Sequence, residues 1–166
     1  MDKYYYFIAQ LPTLFFRKEP EITIDRFMNE AEKWLDPADF EMLCSLDLQS
    51  VAINRGEPAD VKRYKNFEND LRTDIAAFRE AQHKDIEYKP SSFPLSAIKE
   101  GNPLDVELRF MDLRWQFLDE MEREHHFDFT TIVIYLLKLL LLQRYFTFEK
   151  EKGLLRFQML YHEVRS

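Results

Sequence analysis

Glycine is scarce in this sequence, which has three glycines in 166 residues, at positions 56, 101 and 153. Average usage would give about 12. Glycine provides the left-handed backbone of tight turns and the open loops that cradle phosphates. Its scarcity argues against a glycine-loop nucleotide binder and against an all-β sandwich. Aromatic residues make up 15% of the chain, too much apolar mass for a disordered protein, so we expect a folded helical chain.

Cysteine and clustered basic residues are also in short supply. The single Cys44 cannot form an internal disulfide, and its place on the apolar side of a predicted helix favours a structural thiol over a nucleophile. Lysine plus arginine total 23 against 30 acidic residues, whereas nucleic-acid affinity depends on clustered cations. The densest basic group, Lys62, Arg63 and Lys65, is followed by Glu68 and predicts a solvated helix face. We therefore expect no nucleic-acid partner.

Long hydrophobic runs are missing as well. The most hydrophobic stretch covers residues 129–142, is interrupted by Lys138 and is closed by Gln143 and Arg144. A membrane span needs about 20 apolar residues. The N-terminus lacks the basic start, the long apolar stretch and the small-residue cleavage site of a secretory signal. We expect a cytoplasmic chain without direct membrane insertion.

Proline and capping residues divide the chain into helices. Residues 3–11 are apolar and end at Pro12, and so short a segment fits either a strand or a helix. Gly153 predicts either a bend in the last helix or a second short helix. We predict an all-α single domain over residues 1–166, an irregular bundle of about five to seven helices, with 86–101 as a candidate internal linker. The predicted helix starts are at Thr23, Asp36-Pro37, Pro58, Asn102-Pro103 and Asp128.

The helix predicted over residues 103–123 carries two apolar stripes. The first is Leu104, Leu108, Met111, Trp115 and Leu118, and the second is Val106, Phe110, Leu113 and Phe117. A helix with two stripes packs against more than one neighbour, so either it is central to the domain or one stripe meets a partner. We predict partner contacts from the second stripe, a cation beside it and the aromatic N-terminus: Tyr4, Tyr5, Tyr6, Val106, Phe110, Leu113, Arg114 and Phe117.

Two cations lie within apolar arcs of predicted helices, Arg114 and Lys138. Burial of an unpaired cation costs several kcal/mol, so each needs a partner or a path to water. Glu107, two turns before Arg114, is one candidate partner. The alternative is a cation presented to an acidic surface of another protein.

One ligand-rich cluster is present, formed by Glu122, Glu124, His125, His126 and Asp128. Adjacent histidines on a helix point about 100° apart and make poor co-ligands. Their place where a helix is expected to end favours interaction with the last carbonyls. A small helical metal-binding protein or enzyme that uses His125, His126 and Asp128 remains an alternative. The sequence has no phosphate-binding glycine loop, CxxC, GxSxG or HExxH motif, and we expect no cofactor.

Five segments in order carry a family resemblance: KYYYFIAQLPTL from Lys3, NPLDVE at 102–107, LRWQFLDE at 113–120, HFDF at 126–129 and YLLKLLLLQR at 135–144. Together they resemble an uncharacterised bacterial family encoded in V-type ATPase (ATP synthase) gene clusters. The resemblance implies a subunit like the helical C/d subunit of the central stalk, which couples the soluble ATPase head to the membrane rotor. It implies protein partners, no catalysis, and a position peripheral to the inner membrane through the complex.

The functional expectation is therefore a non-catalytic interaction or assembly subunit of a V-type ATPase. The metal protein described above is one alternative. The other is a self-associating helical scaffold, in which the chain forms a homo-oligomer.

Overall fold

The structure is a computed structural model and describes residues 3–165. Seven helices account for most of this part of the chain, and it contains no strand. The prediction of an all-α irregular bundle is confirmed, and the aromatic N-terminal segment is a helix. The helices are α1 Tyr5–Gln10, α2 Ile24–Trp34, α3 Pro37–Cys44, α4 Ala59–His83, α5 Ser96–Lys99, α6 Pro103–Arg123 and α7 Phe129–Arg165.

The predicted helix starts are observed, and local hydrogen bonds explain several of them. The Thr23 hydroxyl accepts from the Arg26 amide at the start of α2. At the start of α6 the side chains of Asn102 and Asp105 form a reciprocal capping box. Asp36 precedes Pro37 at the start of α3 but makes no cap bond.

Helix α7 is the centre of the bundle. Its first half is buried nearly all round, because α2, α3, α4 and α6 all pack against it. Its most extensive contact is with α6, whose Leu118 and Met121 share a hydrophobic cluster with Ile132 and Leu137 of α7. The prediction of a final helix surrounded by protein is confirmed for this half of α7.

Helix α6 is the second central element, and its two stripes pack in different directions. Met111 and Trp115 of the first stripe share a cluster with Leu141 and Leu142 of α7. The second stripe packs against α4 and the segment before α6. Its members there are Val106, Phe110 and Leu113, in a cluster with Leu71, Phe93 and Ala97.

The segment 86–101, predicted as a candidate internal linker, packs against the body of the protein. Phe93 and Ala97 are buried. The carboxylate of Asp74 on α4 accepts hydrogen bonds from the Tyr88 hydroxyl at 2.6 Å and from the amides of Ser91 at 3.0 Å and Ser92 at 2.6 Å. One buried carboxylate therefore ties this segment to α4.

Two predictions about individual side chains are wrong. Cys44 is exposed rather than on a buried apolar face, because it is the last residue of α3. Lys65 is buried rather than solvated, and its ammonium bonds to the Glu57 carboxylate and, at 2.8 Å, to the Ala52 carbonyl. The loop before α4 folds over α4 at this point and covers Lys65. The charged neighbours of Lys65 in sequence had indicated a solvated side chain.

Helix α7 runs through Gly153 without interruption, so the alternative of a second short helix is wrong. We call residues 149–165 the tail. Every residue from 153 to 165 is exposed, and a Cβ added at Gly153 would meet nothing within 4 Å. Seventeen residues at 1.5 Å each make the tail about 25 Å long. The tail therefore projects from the body.

One helix of residues 3–165, α7, is long and apolar enough to cross a membrane by length and composition. Its most apolar 18-residue window has a mean hydropathy of 1.4, and 56% of that window is buried inside the protein. The core helix of a soluble protein has the same properties, so this observation leaves the expected absence of membrane insertion a prediction.

Candidate interaction surfaces

An exposed group of aromatic side chains lies where α1, the end of α2 and the α6–α7 turn meet. The exposed fractions are 42% for Tyr5, 56% for Tyr6 and 41% for Trp34. The Tyr6 and Trp34 rings stack with centroids 6.5 Å apart, and the Tyr5 ring lies 4.6 Å from that of Phe127. We call these four residues the aromatic patch.

Helix α1 is anchored on its other side, which holds the patch in place. Tyr4 is buried and its hydroxyl donates to the Asp39 carboxylate. Phe7 is buried against Phe27 of α2, with centroids 5.6 Å apart. The Lys3 ammonium bonds to the carboxylate of Asp36. Of the three tyrosines predicted as partner contacts, Tyr5 and Tyr6 are thus at the surface, whereas Tyr4 is a packing residue.

Phe127 reaches the patch through an unusual backbone conformation. Its φ is 56°, in the left-handed region that costs a bulky residue of the order of 1 kcal/mol. This conformation lies in the short turn between α6 and α7. The turn places the Phe127 ring against Tyr5.

His125 lies in the same turn between two carboxylates. Its Nδ1 is 2.7 Å from an Asp128 oxygen, and its Nε2 is 3.3 Å from an Asp60 oxygen on α4. Burial opposes protonation, but the Asp128 hydrogen bond and the Asp60 charge outweigh it and raise the pKa of His125 above 6.5. Asp128 also accepts from the Thr131 amide at 2.9 Å. His125 therefore links the turn to the starts of α4 and α7.

The predicted metal candidates do not assemble into a ligand set. Asp128 is engaged by His125 and Thr131, and His126 is exposed and outside this group. Between residues 3 and 165 no group of three or more histidines, cysteines or carboxylates is placed to hold a metal ion. The arrangement at His125 is an ion-pair junction between helices.

A groove of about 520 Å³ lies beside the patch and is lined in part by Phe127 and Ile8. Two of its other lining residues are the carboxylates Asp119 and Glu122, which are 41% and 45% exposed. Both bond to the ammonium of Lys138, which lies 4.9 Å from the centroid of the Trp115 ring. Lys138 is buried but paired, and both carboxylate side chains remain partly exposed beside the groove.

Arg114 is also buried and paired, with a partner that we did not predict. Its guanidinium donates to both carboxylate oxygens of Glu68 on α4, at 2.8 and 2.9 Å. Burial opposes ionisation of Glu68, but Arg114 and then Arg72 hold its pKa below the usual range. Glu107, the predicted partner, instead bonds to Arg144 of α7.

The second stripe of α6 packs against the rest of the protein, and none of its members is exposed. Phe110 is 2% exposed and Arg114 is 8% exposed. The ring of Phe117 stacks on Phe67 of α4 at 4.1 Å, and Val106 and Leu113 pack in the cluster described above. The alternative that α6 is central explains both stripes. Partner contact by these five side chains stays a prediction.

Two surface features were missed in the sequence. Phe127 joins the patch through its positive φ, and no sequence pattern indicated that. The sequence does carry a signal for the tail, because its apolar residues repeat at helical spacing beyond the buried half of α7. Seven large apolar side chains of the tail are 47–87% exposed: Leu154, Leu155, Phe157, Met159, Leu160, Tyr161 and Val164.

These features define the protein as an all-α bundle with a projecting C-terminal helix and an exposed aromatic patch. Residues 94–165 match a family described as a protein of unknown function (DUF2764). The matched region begins just before α5 and contains α6 and α7. Comparison with curated proteins and with solved structures gave no match.

Proposed function

We propose that this protein is a non-catalytic interaction subunit of a V-type ATPase and that it contacts a neighbouring subunit through the aromatic patch. The V-type ATPase assignment is supported by the family resemblance of the five sequence segments. The patch supports the mode of contact, and the observation that carries it is the exposed stack of Tyr6 on Trp34. Tyrosine and tryptophan supply much of the binding energy at protein interfaces.

The patch has the properties of a binding surface rather than of incidental exposure. Scattered single apolar side chains are normal on a protein surface, whereas adjacent ones indicate a contact site. Tyr5 and Tyr6 are in mutual edge contact, with centroids 5.7 Å apart, on a helix whose other side is anchored by Tyr4 and Phe7. Each of these aromatic side chains has only two side-chain torsions, so little conformational entropy is lost when a partner binds.

The groove beside the patch indicates the chemistry of the segment that would bind. Asp119 and Glu122 are shared with Lys138 but their side chains are 41% and 45% exposed, and Arg123 lines the same groove. A partner segment with an apolar or aromatic side chain for the patch and hydrogen-bond donors for these two carboxylates fits both features.

Co-purification from the native cell tests the proposal. A tagged chain should recover ATPase head or rotor subunits, identified by mass spectrometry. The Tyr6→Ser/Trp34→Ser double variant should reduce that recovery at least tenfold. Ile86→Ser removes a side chain that is 60% exposed elsewhere and should leave recovery unchanged. Recovery of no ATPase subunit by the unaltered chain contradicts the proposal.

A further inference from the structure

The tail of α7 holds the largest concentration of unexplained apolar surface in the protein. Thirteen large hydrophobic side chains of the described residues are exposed, and the seven named above lie between Leu154 and Val164. The aromatic patch lies beside the first turn of α7, whereas the tail is the last part of this 37-residue helix. At 1.5 Å per residue the helix is about 55 Å long. The tail is therefore a separate surface.

Five of these seven side chains share one face of the helix, which we call the tail stripe. At 100° per residue they fall within an arc of about 120°. Four of them have the 3-4-3 spacing of a coiled-coil seam, at positions 154, 157, 161 and 164. Met159 lies outside this arc, roughly opposite the stripe. The members of the stripe are Leu154, Phe157, Leu160, Tyr161 and Val164.

We propose that the tail stripe pairs two copies of this chain as an antiparallel helical dimer. This inference goes beyond the proposed function and uses a different surface. The spacing favours a helix as the occupant, because a 3-4 seam fits a second helix that packs at a small crossing angle.

The area of the stripe matches what such a dimer needs. A large side chain offers about 150 Å², and the five members are 47–87% exposed. Each stripe therefore presents roughly 500 Å². Two stripes together present roughly 1,000 Å², about the buried area that a specific interface should reach. Without a partner helix, the apolar side chains of the tail stripe stay exposed to water and contribute no burial energy.

The shape of the protein decides the direction of pairing. Paired helices lie 8–10 Å apart, but at the base of the tail the same face of α7 carries Gln143, Phe146 and Lys150, which line a groove together with residues of the 19–24 segment of the body. Two parallel copies would therefore overlap at the bases of their tails. Antiparallel copies place the two bodies at opposite ends of a pair of tails, each about 25 Å long.

Charge on one side of the stripe fits the antiparallel arrangement. Glu151 and Arg165 lie within about 40° of each other around the helix axis, both on this side. In an antiparallel pair of helices, the residues that flank the stripe on one side lie beside the residues of the same side on the second copy. A dimer centred near Gln158 therefore places Glu151 of one copy beside Arg165 of the second copy, and the reverse.

Sedimentation velocity on the full chain tests the pairing. We expect a dimer at micromolar concentrations and a loss of at least 100-fold in dimer affinity for Phe157→Asp. Met159→Asp is the matched control: Met159 is 69% exposed against 66% for Phe157, but it lies off the stripe and should change affinity less than threefold. Because both positions are on the exposed tail, both variants should retain the melting temperature of the body.

Spin labels test the direction. In a Cys44→Ser background, labels at Gln158 should lie about 10 Å apart. Labels at Arg165 should lie about 20 Å apart, because in an antiparallel pair the two Arg165 positions are at opposite ends. Equal short distances at both positions would show a parallel dimer and overturn the arrangement. A chain that remains monomeric at 100 µM overturns the proposal, whether or not it binds phospholipid vesicles or an ATPase subunit. These outcomes leave the aromatic patch, and so the proposed function, untouched.

Discussion

Arg114 on α6 donates two hydrogen bonds to the carboxylate of Glu68 on α4, at 2.8 and 2.9 Å, in the interior of the bundle. The Glu68 side chain is 2% exposed. Arg72 at the edge also donates to it, at 2.9 Å, and reaches the carbonyls of Leu48 and Gln49. One carboxylate therefore joins α4, α6 and the loop after α3.

We expect Arg114→Met to lower the free energy of unfolding by about 3–5 kcal/mol, because it leaves the buried Glu68 charge with only an edge partner. Urea unfolding measures this. Glu68→Leu together with Arg114→Met should recover at least half of the loss, since no uncompensated charge then remains. Arg63→Met is the control: Arg63 pairs with Glu124 at the surface, where about 1 kcal/mol or less is expected. Equal losses for the two single variants would contradict the prediction.

Lys138 should respond differently from Arg114. Its side chain is 6% exposed, but its partners Asp119 and Glu122 are 41% and 45% exposed. These two carboxylates therefore remain hydrated when the Lys138 ammonium is removed. Lys138→Met preserves the packing over Trp115 and should cost about 1 kcal/mol or less. Lys138→Ala removes that packing and should cost about 2 kcal/mol or more. A larger loss for methionine than for alanine in thermal unfolding would refute this explanation.

The His125 junction predicts a pH dependence of stability. Because the pKa of His125 is raised in the folded protein, its contribution is fully present below pH 6.5 and is lost as pH rises through the folded-state pKa. His125→Gln should therefore flatten the decline in stability between pH 6 and pH 9, as measured by urea unfolding. His126→Gln changes the exposed neighbouring histidine and should retain the decline. If stability declines with pH as steeply in His125→Gln as in the unaltered protein, the His125 junction is not the source of the decline.

Asp74 predicts local stabilisation of the segment before α5. The hydrogen bond from Tyr88, followed by those from Ser92 and Ser91, lowers the pKa of Asp74 to about 2. Its contribution is present above pH 3.8 and is lost as pH falls towards 2. Asp74→Asn should destabilise the protein by about 1–3 kcal/mol at pH 7 and speed hydrogen exchange at the Ser92 amide.

Asp70→Asn is the control for this prediction, because Asp70 is exposed on the same helix. It should leave the exchange rate at Ser92 unchanged. A similar exchange rate in the Asp74 and Asp70 variants would show that the carboxylate does not hold the segment.

The helices could be predicted because their signals are local. Thr23 and the Asn102–Asp105 box act on amides within three residues of themselves, and Pro37 sets the backbone of the first turn it occupies. The exception at Asp36 shows the limit of this reasoning. Lys3 lies 33 residues earlier in the chain and bonds to the carboxylate that was predicted to cap α3.

The candidate site was only partly predictable. Tyr5 and Tyr6 were identified from their sequence context, but Trp34 and Phe127 join them through the packing of α2 and the left-handed backbone of the α6–α7 turn. Glu107 was predicted to pair with Arg114 because it lies two turns away on the same helix. The actual partner, Glu68, is 46 residues away in sequence.

The sequence by itself therefore determined the helical class, the helix starts and the presence of two cations that needed partners, because caps, prolines and periodicity act over a few residues. Tertiary structure alone decided which carboxylate each cation meets and which apolar stripe is covered. Both stripes of α6 pack against the chain and none of their members is exposed, whereas the stripe on the tail of α7 is exposed. An apolar stripe looks the same in sequence whether a neighbour covers it or not, and only the packing of distant segments distinguishes the two.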